Sequence, residues 1–117
     1  FKNNEYPKYW NTHYRLESTI ALQNLLEATM TPENFVKVHQ PVLALYYYKD
    51  EKHQDNVVKV SAIQKMLTQI STTNELKKGV AIPNAGSHVL ASPIVSKDVQ
   101  GVEIQTAKFI QEKIIKQ

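Results

Sequence analysis

The sequence predicts an α/β fold, and three observations predict it. Pro41-Val-Leu-Ala-Leu-Tyr-Tyr-Tyr48 is a near-continuous apolar and aromatic run of strand length, the pattern of a strand buried on both faces, as in parallel sheets. A second short apolar run, Gly79-Val-Ala-Ile-Pro83, lies downstream. Between them, Val57 to Ile70 carries apolar residues at helical spacing. Strand, helix and strand with loop-sized gaps make the crossover unit of a parallel sheet.

Composition sets the frame for these elements. The chain has 117 residues, 42% hydrophobic and 21% charged, with 3 glycines and 5 prolines. That is the profile of one ordered, soluble domain or part of one. No apolar run is long enough for a membrane span. There are no cysteines, which excludes disulfides, thiolate metal sites and a cysteine nucleophile. This fits cytoplasm or periplasm without choosing between them. The net charge is +3, but the lysines are scattered among carboxylates and Arg15 is the single arginine. A nucleic-acid groove needs clustered basic residues, so no nucleic-acid partner is expected.

Phe1 to Tyr14 is rich in aromatics (Tyr6, Tyr9, Trp10, Tyr14) and has no regular pattern; it reads as a segment that packs on something else. Leu16 to Met30 follows a helical face through Leu16, Ile20, Leu25 and Leu26. Thr31 and Pro32 are N-cap and first-turn signals for a short helical turn over Glu33 to Val36. Lys49 to Asn56 is polar and predicts a loop. Asn84-Ala-Gly86 is turn chemistry, with Gly86 able to supply positive φ. Pro93 breaks Val89 to Ser96. Val99 to Ile115 predicts a C-terminal amphipathic helix, weakened in its first turn by Gly101.

Parallel strands end at the same edge of their sheet. Asp50 lies just past the first strand and His88 a few residues past the second. If the strands are neighbours, about 4.8 Å apart, the two side chains can meet in the crevice where open α/β sheets bind ligands. An Asp that accepts from one imidazole nitrogen fixes the tautomer and leaves the other as a base. The plain alternative is a turn aspartate and a partly exposed loop histidine. Asp55 is the second candidate for the acid; it is also a plausible N-cap for the Val57 helix. His53 with Asp50, Glu51 and Asp55 has the ligand types of a metal site, although an acidic solvated loop explains them more simply. Ser87 adjoins His88 and is not expected to act as its nucleophile. Tyr46 to Tyr48 read as a strand end rather than a stacking platform.

Taken in order, these residues resemble the C-terminal part of the α/β-hydrolase superfamily, closest in cast to its serine aminopeptidase and monoglyceride-lipase-like branch. Pro41 to Asp50 resembles the seventh strand followed by the triad acid, nine residues after Pro41. Asn84-Ala-Gly-Ser-His88 resembles the Gly-x-His segment that carries the triad histidine, Val99 to Ile115 the final helix, and Pro32 to Gln40 the short helix ahead of the strand. The resemblance implies a C-terminal fragment of that fold, with two parallel strands, flanking helices and part of a cap. Residues 1–31 would be a cap or lid remnant with its helix, and 32–117 the C-terminal part of the hydrolase core. It implies hydrolysis of an ester, thioester or amide, with catalytic residues Asp50 and His88 and no cofactor or metal. No Gly-x-Ser-x-Gly occurs among the three glycines, so the nucleophile and oxyanion donors are expected elsewhere. The chain alone is then expected to be inactive. The expected partner is the missing N-terminal part of the same protein or a second copy, besides a small ester or amide substrate. The alternative is a non-catalytic interaction module on the same scaffold.

Overall fold

A computed structural model describes residues 16–115; the aromatic segment Phe1 to Tyr14 lies outside the described residues. Helix α1 (Leu16–Thr29) is followed by a short α2 (Pro32–Phe35). Strand β1 (Val42–Tyr46) leads into a small hairpin of β2 (Tyr48–Asp50) and β3 (His53–Gln54). Helix α3 (Val60–Gln69) and a 3₁₀ turn (Asn74–Leu76) bring the chain to β4 (Lys77–Ala81). Helix α4 (Val99–Phe109) continues into a π-helical turn over Ile110–Ile115.

The expected crossover is present. Strands β1 and β4 pair in parallel, with Val42 opposite Lys77 and Tyr46 opposite Ala81, and α3 lies between them in sequence. The molecule is mixed α/β, with a two-stranded parallel sheet and flanking helices. Side chains alternate across the strands, so the two faces separate cleanly. Leu45, Tyr47 and Val80 pack with Ile82, Ala85 and Val102, the last on α4. Gly79 and Tyr46 face the other helix: a Cβ on Gly79 would stand 2.7 Å from Leu67 Cδ1 and 3.6 Å from the Tyr46 ring. The absence of a side chain at Gly79 therefore lets α3 approach β4 closely.

The Thr31 cap falls where the sequence predicts it, whereas α3 has Lys59 and not Asp55 at its N-cap. Thr31 Oγ1 accepts from Asn34 N–H, with Pro32 in the first turn, and Asp98 accepts from Gly101 N–H at the start of α4. Buried Thr72 donates to the Gln40 carbonyl at 2.6 Å, and Ser71 to that of Val36 at 2.5 Å. These bonds tie the end of α3 to the chain entering β1.

Three expectations need correction. The first strand stops at Tyr46, and the polar stretch after it contains the β2–β3 hairpin rather than a plain loop. The central helix starts at Val60, not Val57, because Val57 and Val58 give their N–H groups to Asp55. Helix α1 forms where the periodicity places it, yet none of its residues is buried. Leu16, Ile20, Leu22, Leu25 and Leu26 are all exposed.

Candidate functional site

The hairpin decides which aspartate reaches the histidine. After β1 the chain continues outward through Tyr48–Asp50, turns, and returns through His53–Gln54. Asp55 N–H then donates to the Tyr47 carbonyl at 2.9 Å. The hairpin thus closes on itself and restores the chain to the end of β1 at Asp55, five positions later than a count along the strand suggests.

Asp55 is buried, with its side chain 4% exposed. Its Oδ1 accepts from Val57 N–H at 2.8 Å and Val58 N–H at 2.9 Å. Its Oδ2 meets His88 Nδ1 at 2.5 Å. Burial works against its charge, but the bond from His88 and the two backbone N–H groups outweigh it and hold the carboxyl below its ordinary range. An ionised carboxylate can only accept, so the His88 proton sits on Nδ1. Nε2 is left as the nitrogen able to take a proton.

His88 reaches this position through its own loop. Ile82 N–H donates to the Tyr46 carbonyl and continues the β1–β4 register. Ala85 is fully buried, and Gly86 adopts φ +70, a left-handed turn suited to glycine. Ser87 turns inward and is buried, while the His88 side chain keeps 40% exposure. An anchored carboxylate and a half-open imidazole therefore meet at the carboxyl ends of two adjacent parallel strands.

Asp50 does not take part, and its expected pairing with His88 is corrected. Its Oδ1 accepts from Lys52 N–H, His53 N–H and His53 Nδ1, each within 2.9 Å. It closes the tight turn of the hairpin, a local role suited to aspartate. The bond from His53 is the main reason its carboxyl lies below the ordinary range. Counting nine residues from Pro41 lands on Asp50 because the count leaves out the β2–β3 detour that precedes Asp55. The signal for Asp55 was the Asp-x-Val-Val pattern, whose two valine N–H groups clamp the carboxylate. Among the described residues, no group of three His, Asp or Glu side chains converges as a metal site needs; Asp50 is bonded to His53, whereas Asp55 is bonded to His88. A groove of about 650 Å³ runs beside Asp55 past Tyr48, Gln54, Asn56, Lys59 and Gln64. Asp55 lines it and His88 does not.

No protein-family model, curated protein or solved structure matches the chain.

Proposed function

We propose that these residues form the C-terminal part of an α/β-hydrolase and supply the acid and base of a Ser-Asp-His triad, with Asp55 as the acid and His88 as the base. One observation carries the reading. A buried carboxylate, clamped by two backbone N–H groups, receives Nδ1–H of a half-exposed histidine at the carboxyl edge of a parallel pair. In hydrolysis, Nε2 of His88 takes the proton of a serine hydroxyl as that oxygen attacks the acyl carbon. It returns the proton to the leaving alcohol, thiol or amine as the tetrahedral intermediate collapses. Asp55 stays ionised, holds the tautomer and stabilises the imidazolium. The serine and the oxyanion donors come from polypeptide outside these residues, because no Gly-x-Ser-x-Gly is present here.

That same absence favours a second reading, an interaction module built on the same scaffold. A fluorophosphonate probe separates the two. Applied to the protein isolated from its source, it is expected to label a serine in a Gly-x-Ser-x-Gly segment covalently, with labelling falling on the order of 10³-fold or more in His88→Ala. Failure to label, or labelling indifferent to His88, would leave the interaction module.

A further inference from the structure

His88 lies on a loop that is anchored at its base. Lys97 N–H donates to the carbonyl of fully buried Ala85 at 2.9 Å, and this bond closes residues 85–97 on themselves. Just ahead of the histidine, Gly86 at φ +70 has no side chain to restrict its backbone. A ring that must meet Asp55 from such a loop needs its own backbone held.

Three serines of this loop make the same local bond. Ser87 Oγ accepts from Val89 N–H at 3.2 Å, Ser92 Oγ from Ile94 N–H at 3.3 Å, and Ser96 Oγ from Asp98 N–H at 3.3 Å. In each, the hydroxyl reaches the N–H two residues on, as serine turns do. Their placement differs. Ser92 and Ser96 are half-buried, whereas Ser87 is 4% exposed, and its bond spans His88. At that burial Ser87 offers its hydroxyl to the main chain rather than to a substrate. The bond ties together the peptide units on either side of the His88 Cα. Those units decide which rotamers the side chain can adopt, and the one adopted brings Nδ1 to Asp55 Oδ2 at 2.5 Å.

We propose that Ser87 is a positioning residue for His88: its hydroxyl, bonded across the histidine to Val89 N–H, holds the backbone so that Nδ1 faces Asp55. Its part in hydrolysis rests on the triad reading, whereas its hold on the Asp55–His88 bond does not.

The test removes one hydroxyl at a time from the full protein, as Ser87→Ala and, for the same bond away from the histidine, Ser92→Ala. Ser87→Thr keeps the oxygen. ¹⁵N shifts of labelled histidine read the His88 tautomer, and hydrolysis of a p-nitrophenyl ester reads kcat and KM. In Ser87→Ala the ratio of the Nδ1–H to the Nε2–H form should fall about 10-fold, the worth of one ordinary hydrogen bond. Turnover should fall on the order of 100-fold in kcat with KM unchanged. Ser87→Thr should restore both, and Ser92→Ala should alter neither. If Ser87→Ala does not fold, Ser87→Cys, whose sulfur is a weak acceptor, gives the same readouts. An unchanged His88 tautomer in the Ser87 variants would overturn the proposal. So would an equal change in Ser92→Ala, which would make the effect one of loop stability. A tautomer change in Ser87→Ala, with no fluorophosphonate labelling of the unaltered protein, keeps Ser87 as the brace of the pair and removes the hydrolase reading. Labelling and turnover indifferent to Ser87→Ala remove the proposal and leave the hydrolase reading standing.

Discussion

Replacing Asp55 by asparagine changes one bond and keeps two. The amide oxygen still accepts from Val57 and Val58, whose N–H groups stand 2.8 and 2.9 Å from the carboxylate. The amide nitrogen then faces His88 Nδ1 and can only donate. His88 must answer with the opposite tautomer, protonated on Nε2. A hydrogen bond to a charged group contributes about 1.5–3 kcal/mol, and a neutral one restores about 1. The expected loss of stability is therefore about 0.5–2 kcal/mol. Asp55→Ala, which forfeits three bonds and strands two N–H groups, should lose about 3–5 kcal/mol. The tautomer is read from ¹⁵N shifts of labelled histidine, with His39 and His53 as internal references. If the proposed triad operates, the wrong tautomer should cost on the order of 10⁴-fold in turnover. An unchanged His88 tautomer in Asp55→Asn, or the same flip in Asp50→Asn, would refute the reasoning.

The acid side of the stability curve should report Asp55 as well. Its carboxyl is lowered on folding, so its contribution is present above the unfolded value near 3.9 and is lost as pH falls through the lower folded one; urea melts between about pH 5 and 2 should show a shallower fall in Asp55→Asn. Gly86→Ala should cost about 1–2 kcal/mol from the positive φ alone, since its Cβ would meet nothing closer than Lys97 Cδ at 3.7 Å. The His88 Nδ1 proton signal should broaden or shift in that variant, and an unchanged signal at full stability would show that the turn does not need glycine.

The crossover was legible because its signals are local. An uncharged run bounded by Pro41, a helical period through Val60, Ile63, Leu67 and Ile70, and a glycine turn at Gly86 each point to one backbone conformation. The position of His88 was legible for the same reason: it follows the turn that ends the second strand. That Asp55 rather than Asp50 reaches His88 was not legible by counting, because the β2–β3 hairpin is polar and short, without the apolar alternation that marks a strand. The exposure of α1 was hidden too. Periodicity shows that a helix has apolar residues to bury but not what buries them, and Leu16 through Leu26 find no cover among the described residues.

The clasp between the Tyr47 carbonyl and Asp55 N–H has a practical consequence. It isolates residues 48–54 as a detour whose two ends are fixed to each other. Length added or removed within the detour need not displace the carboxylate, since its position is set by the clasp and by Val57 and Val58. Exposed, self-closed segments of this kind tolerate insertion. Its outer turn at Glu51 and Lys52 is thus a suitable place for a fluorophore, an affinity tag or an engineered protease site, leaving the histidine and its carboxylate undisturbed.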